Sequence, residues 1–243
     1  MKSFIHLHLH SEYSLLDSNQ KITDLVKKVK ELNMPAVALT DHGNILGAVN
    51  FFNIAKRNGI KAIIGAEMYI TPYTIDHRPK RGSGEVNYHH LVVLVKNDIG
   101  YKNLSELISI SYIDGFYRKP RIDKKILREH SEGLVILSSC IQGELPYNLL
   151  VGKDEEAYKA ASWYKEVFGD DFYVEIQNHG LSKQVKVLPK LVELAKDLDI
   201  PLVATNDVHY MNKSDSEARE ILICLQTNEV LSNIDRAMKK ETD

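Results

Sequence analysis

Three histidines alternate with three apolar residues near the start of the sequence, in the run IHLHLH at residues 5–10. A period of two residues is typical of a β-strand with two different faces, so we expect the histidines on one face and the apolar side chains on the other. Neutral imidazole is a common ligand of zinc, iron and manganese. One histidine in such a place would more simply be an exposed polar side chain, but three in register predict a metal-binding face.

Similar side chains stand at the ends of the other apolar runs. In α/β barrels the functional groups come from the C-terminal ends of the strands and from the loops that follow them. Beyond His8 and His10, the candidates are Asp17, Asp41, His42, Glu67, His89, His90, Cys140, Glu175, His179, Asp207 and His209. So many histidine, carboxylate and thiol groups at one predicted rim indicate a site that binds several metal ions.

The ligand types also indicate the metal and its chemistry. Nitrogen and oxygen ligands with a single sulfur suit zinc, with manganese or iron as alternatives. A carboxylate can bridge two cations about 3.5–4 Å apart, and such a pair clamps a phosphoryl group while a metal-bound water attacks the phosphorus. The sequence therefore predicts phosphoester hydrolysis, with metal-bound water held by the cluster as the nucleophile.

The apolar runs alternate with amphipathic stretches along most of the chain. We predict strands at residues 4–9, 36–40, 62–69, 91–96, 134–138, 172–177 and 202–205. Helices are predicted at 23–32, 44–57, 101–111, 157–168, 182–198 and 214–226. Several of the strands are continuous Val, Ile and Leu runs, which are typical of a parallel sheet covered on both faces. Seven alternations favour a seven-stranded α/β barrel, with an open doubly wound sheet as the alternative.

Length and composition indicate one domain. The 243 residues are 44% hydrophobic, enough for a sizeable core, and we expect one barrel over residues 1–227 and a connector over 228–243. No apolar run reaches the length of a membrane span and no signal peptide is evident. The two cysteines, Cys140 and Cys224, are too few for a disulfide framework. These features predict a cytoplasmic protein without a membrane partner.

Charge limits any contact with nucleic acid to a local patch. The net charge of −2 argues against a broad electrostatic contact with DNA. Arg118, Lys119 and Arg121 lie beside Phe116 and Tyr117, a combination that could contact a phosphate backbone and stack a base. A run of charges is more often a solvated surface, and the sequence leaves both interpretations open.

Four short motifs resemble those of the polymerase and histidinol phosphatase (PHP) family. They are HLHS at residues 8–11, TDHGN at 40–44, GAE at 65–67 and NDVH at 206–209. Longer stretches resemble one branch, the N-terminal PHP domains of bacterial DNA polymerase III alpha subunits. These stretches are SEYSLLDS (11–18), LTDHGNILGAVNFF (39–52), GIKAIIGAEM (59–68), HLVVLVKNDIGYKNL (90–104), GFYRKPRID (115–123), LSSCIQGELP (137–146) and VATNDVHY (203–210).

The resemblance implies a distorted seven-stranded (β/α)7 barrel with three divalent metal ions. It implies that a first ion binds His8, His10, Glu67 and Asp207. A second would share Glu67 and add His90 and Cys140, and a third would bind Asp17, His42 and His209. This set of nine residues, called the ligand set below, is complete in the sequence.

Four further residues are interpreted beside the ligand set. His6 is predicted to orient a ligand, with a buried structural histidine as the alternative. Asp41 is predicted to hydrogen-bond an imidazole and so fix its tautomer. Glu175 and His179 are predicted at the rim in contact with substrate or water, with a structural hydrogen bond as the alternative. The family pattern favours His90 over its neighbour as the ligand, since adjacent strand residues point to opposite faces.

Three functions follow from the resemblance. The first is the PHP domain of a replicative polymerase alpha subunit that acts as a metal-dependent 3′–5′ exonuclease. Its partners would be a DNA 3′ end, the rest of the polymerase chain and other replicase subunits. The second is a free-standing phosphatase for a small phosphomonoester such as histidinol phosphate. The third is a metal-stabilised scaffold or docking module without catalysis. In each case 243 residues are too few to include a polymerase body.

Overall fold

The computed structural model describes residues 4–80 and 82–232 as an α/β protein. The strands are β1 (Ala36–Leu39), β2 (Lys61–Ile70), β3 (His89–Val95), β4 (Arg121–Ile122), β5 (Leu134–Leu137), β6 (Phe172–Ile176) and β7 (Leu202–Ala204). The helices are α1 (Ile22–Glu31), α2 (Ala48–Arg57), α3 (Asp98–Ile113), α4 (Lys124–Glu129), α5 (Glu144–Leu150), α6 (Asp154–Phe168), α7 (Ser182–Asp197) and α8 (Ser216–Thr227).

These elements confirm the predicted α/β class. β4, α4 and α5 are additional, because segments of two to seven residues carry too little periodicity to be recognised in a sequence. Residues 233–243, most of the predicted connector, lie outside the described residues. In the part of the chain that is described, no helix is both long and apolar enough to cross a membrane.

The strands form one mixed sheet in the order β1-β2-β3-β5-β6-β7, with β4 beside β2. β3 is antiparallel to both of its neighbours, whereas the other pairs are parallel. The predicted parallel direction is therefore wrong for β3, because a continuous apolar run has the same pattern in either direction. The reversal places the start of β3 at the same edge as the ends of the parallel strands. His90 consequently reaches that edge from the beginning of its strand.

Residues 4–10 join the two outer strands of this sheet. The His6 carbonyl accepts a hydrogen bond of 2.8 Å from the Ala38 amide on β1. The Leu9 carbonyl accepts one of 2.9 Å from the amide of Thr40, the residue after β1. On the other side Leu9 forms a parallel bridge with Val208, just beyond β7. The segment bends at Leu7 and His8 and is not the regular strand that the alternation predicts. Leu7 packs against the inner face of the sheet, whereas Leu9 packs against α1 and α2 on the outer face. The prediction that these two leucines share one face is therefore wrong.

The inner face of the sheet is apolar at one end and polar at the other. Its apolar part, the inner apolar cluster, consists of Ala38, Val92, Leu94 and Leu137. Because alternate strand residues share a face, the same face continues towards the other end with His90 on β3 and Glu67 on β2. Gly65 on β2 pairs with Leu94 of this cluster, and a Cβ atom there would come within 2.6 Å of the Val93 carbonyl oxygen and 2.8 Å of the Leu94 side chain.

Helices cover the outer face. α1 and α2 pack one apolar cluster against β1, while α3, α5, α6 and α7 contribute to a larger one over β2, β3, β5 and β6. Two helices begin at side-chain caps, where Asn97 accepts from the Gly100 amide and Asp123 from the Ile126 amide. The two outer clusters and the inner one fix the sheet on both faces and leave its polar end to form a site.

Candidate metal centre

The ligand set converges at the polar end of the inner face, around the carboxylate of Glu67. The Oε1 atom of Glu67 lies 3.2 Å from His8 Nε2, 2.9 Å from His90 Nδ1 and 3.8 Å from Cys140 Sγ. Its Oε2 atom lies 2.9 Å from His42 Nδ1. The carboxylate thus contacts residues that the resemblance assigns to all three ions, as a bridging ligand would.

The remaining members contact this centre in two groups. Asp207 Oδ1 lies 3.2 Å from the Nε2 atoms of both His8 and His10. Asp17 Oδ2 lies 2.7 Å from His42 Nε2 and 3.3 Å from His209 Nε2. Three sets of ligand atoms lie close enough to hold a metal ion: His8, His10 and Asp207; His42, Glu67 and His90; and His10, His42 and His209.

Four buried polar atoms of the ligand set have no hydrogen-bond partner within the described residues. They are His8 Nε2, His10 Nε2, His42 Nδ1 and Asp207 Oδ1. An unsatisfied buried polar atom costs about 1–3 kcal/mol, so four in one place require an explanation. Cations shared between these atoms would satisfy them together, and the nitrogen, carboxylate and thiol donors are those that zinc and related ions bind. The residues therefore fit the metal centre that the family implies.

In three histidines of the ligand set, the ring nitrogen Nδ1 already has a hydrogen-bond partner. His8 Nδ1 donates to Glu175 Oε1 at 2.8 Å, and His209 Nδ1 donates to the Asp207 main-chain carbonyl at 2.8 Å. His10 Nδ1 lies 3.0 Å from Ser14 Oγ, whose own proton goes to Asp41 Oδ1 at 2.7 Å. Such contacts fix the tautomer and direct the Nε2 lone pair towards a metal.

Two predicted supporting roles are corrected by these contacts. Asp41 bonds no imidazole directly among the described residues, because its oxygens accept from Ser11 and from Ser14, which in turn contacts His10. Glu175 is 1% exposed and is not at the rim. It accepts from His8, Gln177 and Thr205, which is the structural hydrogen bonding given as the alternative for this residue.

The predictions for His6 and His179 have different outcomes. His6 contacts no member of the ligand set among the described residues; its ring packs edge-on against Phe4 and its Nδ1 atom has no partner. Its predicted orienting role is therefore not supported. His179 lies in the exposed loop after β6, and its Nδ1 atom accepts from Gln184 Nε2 at 3.2 Å. It lines a cleft of about 600 Å³, which Asp207 and His209 of the ligand set also line.

Opposite charges set the protonation of the centre. Burial opposes the ionised form of Glu67, yet the imidazoles of His90 and His8 hold its pKa well below the usual range. Burial likewise lowers the pKa of His42, but the carboxylates of Glu67 and Asp17 outweigh it and raise that pKa to about 10. Burial lowers the pKa of His10 to about 3, with His42 and His209 acting in the same direction. The negative potential that retains protons on His42 would equally attract divalent cations.

Two residues of the site adopt left-handed backbone conformations. Asp207 has φ +46° and Ser139, whose hydroxyl donates to Glu67 Oε1 at 2.7 Å, has φ +67°. Such conformations cost on the order of 1–3 kcal/mol each for residues other than glycine and cluster at functional sites. They turn these two side chains inwards at the ends of β5 and β7.

The metal centre opens to solvent through a cleft of about 290 Å³. Seven members of the ligand set line it, with His8 and His10 buried beneath. Lys119 is part of the wall, with its Nζ atom 5.2 Å from the centre of the Tyr69 ring. A cation at this place suits an anionic substrate.

The other predicted nucleic-acid contacts lie farther out or inside the protein. Arg118 is exposed beside the Tyr117 ring. Arg121 is fully buried and donates to the carbonyl groups of Gly115, Ile75, His77 and Asn87. Its guanidinium is committed to holding the loop before β3 and is not accessible to a phosphate backbone, which corrects the prediction for this residue.

Three contributing residues were not predicted. Ser14 and Ser139 contact ligands through their hydroxyls, and Arg219 on α8 donates from Nη2 to Asp17 Oδ1 at 2.9 Å. Ser14 follows His10 by four residues and Ser139 precedes Cys140, so proximity to ligands was a usable signal for both. Arg219 lies far from any motif, and nothing in the sequence indicates its contact.

The chain is similar to known proteins over most of its length. The PHP domain model matches residues 6–179. DNA polymerase III subunit alpha of Treponema pallidum is 49% identical over 242 residues, 99% of this chain and 20% of that protein. The same subunit of Borreliella burgdorferi is 47% identical over 240 residues, 99% of this chain and 21% of that protein. The chain thus spans about a fifth of the length of these relatives.

A solved structure has a similar fold. A putative metal-dependent phosphoesterase from Bifidobacterium adolescentis superimposes with a TM-score of 0.56 at 13% identity, covering 90% of this chain and 94% of that chain. At this identity the likeness concerns the fold alone. It agrees with the curled mixed sheet described above, whose outer strands residues 4–10 join to give a barrel-like α/β architecture.

Proposed function

The chain belongs to the PHP domain family, and we propose that it is the PHP domain of a bacterial DNA polymerase III alpha subunit that hydrolyses phosphoesters at a three-metal centre. It would act as a 3′–5′ exonuclease and remove the 3′-terminal nucleotide of DNA. The rest of the polymerase chain, and through it the replicase subunits, would be its partners in the cytoplasm.

One observation carries this proposal: four buried polar atoms of a complete ligand set lie together without hydrogen-bond partners among the described residues. His8 Nε2 and His10 Nε2 lie 3.2 Å from the same Asp207 oxygen. A protein that used this pocket only for packing would bury apolar side chains there, as it does in the inner apolar cluster. The arrangement supports cation binding by all nine residues, with zinc as the first choice and manganese or iron as alternatives.

Bound cations would activate a water molecule and neutralise the phosphoryl oxygens. The protein's own residues would hold everything else in place. Glu175, Ser14 and the Asp207 carbonyl fix the tautomers of three histidines. Lys119 would contact a phosphate at the cleft wall, and the cleft would exclude water from around the phosphoester.

DNA is supported as the substrate by the position of Lys119 and of Tyr88. Tyr88 is half-buried and lines the same cleft as Lys119, whereas Tyr69 beside it is buried. Aromatic rings next to a cation are the elements that single-stranded nucleic-acid sites combine, since bases stack on the rings while the cation contacts the backbone.

The test offers the metal-loaded chain a 3′-labelled single strand and, in parallel, a chromogenic phosphomonoester. We expect trimming of the DNA by the unmodified chain, loss of trimming in His8→Ala, and unchanged trimming in the control His77→Ala. His77 is half-buried in the loop before β3, where its Nε2 atom lies 3.0 Å from Glu85 Oε1, and it is not a member of the ligand set. Cleavage of the monoester alone would instead identify a phosphatase, and no cleavage of either substrate by the loaded chain would identify a scaffold.

A further inference from the structure

Helix α8 is loosely packed on the barrel. Within the described part of the chain, Cys224 is the one buried residue of this helix, and Ile221 and Leu225 are 44% and 65% exposed. Its start is attached where Asn19 Nδ2 donates to the Asp215 carbonyl at 3.2 Å. A helix with so little buried apolar surface depends on specific polar contacts for its position.

Another polar contact of α8 reaches the ligand set. Arg219 Nη2 donates to Asp17 Oδ1 at 2.9 Å, and Arg219 Nε donates to the Asp17 main-chain carbonyl at 3.1 Å. The other carboxylate oxygen of Asp17 faces His42 and His209. One guanidinium thus holds both the main chain and the side chain of Asp17 while the second oxygen points into the centre.

We propose that Arg219 is a positioning residue that couples the docking of α8 to the loading of the metal site formed by Asp17, His42 and His209. The inference rests on the metal centre of the proposed function but not on hydrolysis. With α8 docked, the carboxylate of Asp17 is fixed in the orientation that ligation needs. With an ion bound, Asp17 is already ordered when Arg219 meets it, so each event favours the other.

Charge alone would act in the opposite direction, because a cation on Oδ2 withdraws negative charge from the carboxylate that Arg219 binds. Two features favour the positive coupling. The Nε contact goes to a main-chain carbonyl, whose charge a metal ion on the side chain leaves nearly unchanged. The Nη2 contact goes to Oδ1 and not to the oxygen that faces the histidines, so the two cations do not compete for one atom.

The test measures metal binding and α8 docking separately in the 243-residue chain. Metal content is measured by mass spectrometry after dialysis against graded free metal. Docking is measured as the rate at which N-ethylmaleimide labels Cys224, which is 7% exposed. The sequence has two cysteines, and Cys140 is quantified separately by peptide mass spectrometry because metal protects it directly.

In Arg219→Gln we expect one ion to bind with a dissociation constant about 10- to 100-fold higher, the effect typical of residues that orient a metal ligand. Adding metal should slow Cys224 labelling about tenfold or more in the unmodified chain, because coupling between two sites is reciprocal, and should have little effect in Arg219→Gln. Arg219→Lys should be intermediate, since lysine keeps the charge but cannot contact both oxygens as a fork. Arg128→Gln, which removes an exposed ion pair with Glu166, is the matched control and should behave as the unmodified chain.

The coupling is overturned if Arg219→Gln retains every ion with unchanged affinity, or if metal slows Cys224 labelling equally in both chains. Should Arg219→Gln fail to fold by circular dichroism, Arg219→Lys decides: values equal to those of the unmodified chain overturn the proposal. Neither readout involves DNA, so a chain that fails to trim DNA leaves the coupling intact. A chain that retains no ion at all contradicts the metal centre itself.

Discussion

The two ends of the inner face differ although the same strands build them. The inner apolar cluster of Ala38, Val92, Leu94 and Leu137 fills its end with side chains that need only shape complementarity. A few residues along those strands, the ligand set places buried carboxylates beside buried imidazoles and leaves four polar atoms without hydrogen-bond partners in the described part of the chain. Burial of the apolar cluster stabilises the fold. This stabilisation offsets the cost of burying unsatisfied polar atoms at the other end of the same face.

The largest expected effect tests whether the polar end is a metal centre. Glu67→Gln keeps the size of the side chain but removes the charge that contacts His8, His42 and His90. Because bound cations contribute several kcal/mol of transition-state stabilisation, we expect hydrolysis to fall by about 10³-fold or more, together with metal content. Kinetics and metal analysis measure both, with exposed Glu129→Gln as the control. Full metal content in Glu67→Gln would remove the distinction between the two ends.

The next largest expected effect is a loss of stability on substitution in the inner apolar cluster. Leu94→Ala should lower the free energy of unfolding by about 2–4 kcal/mol, through lost burial and the cavity left behind, without changing metal content. Denaturant unfolding in the presence of a chelator measures it. Leu46→Ala, at a position 73% exposed, is the matched control and should change little. If Leu94→Ala lost its metal while still folded, stability and ligation would not be separable along this face.

The two ends should also respond differently to pH in the metal-free chain. The carboxylates of Glu67 and Asp17 outweigh burial and raise the pKa of His42 to about 10. A raised pKa stabilises the fold fully below the unfolded value of about 6.5, and this contribution is lost as pH rises towards 10. We therefore expect the free energy of unfolding to fall more steeply between these pH values in the unmodified chain than in His42→Gln.

Leu94→Ala supplies the comparison for this pH series, because the inner apolar cluster has no titrating group. Its curve should run parallel to that of the unmodified chain at lower stability. Parallel curves for His42→Gln and the unmodified chain would show that the carboxylates do not hold a proton on His42.

The smallest effect concerns the wall of the cleft. Lys119→Gln should weaken binding of single-stranded DNA only a few-fold and reduce the slope of log affinity against log salt concentration by about 0.7, the loss of one phosphate contact. A salt titration measures it, with Lys27→Gln on the exposed face of α1 as control. An unchanged slope would remove Lys119 from the substrate contacts and leave the metal centre unaffected.

The sequence predicted the fold class and most element positions because both depend on local periodicity. The direction of β3 could not be predicted, since an apolar run does not record which way it pairs. The bend at Leu7 and His8 was missed for a related reason: alternation describes a regular strand, while these residues must fit between β1 and the loop after β7.

The site was predictable in part because its residues stand in short motifs at strand ends. The placement of Arg121 was not predictable, since a buried arginine bonded to carbonyl groups and an exposed one on DNA have the same sequence. Nor was the contact between Arg219 and Asp17, which joins positions 202 residues apart. Such contacts depend on the assembled barrel and not on any local pattern.

The three-metal centre is tested most directly in a crystal of the chain grown with zinc or manganese, with anomalous scattering recorded at the metal's absorption edge. We predict three anomalous peaks at the polar end of the inner face, each about 2.0–2.3 Å from ligand atoms of the nine named residues. Peaks only elsewhere, or none while the ligand set keeps its arrangement, would contradict it.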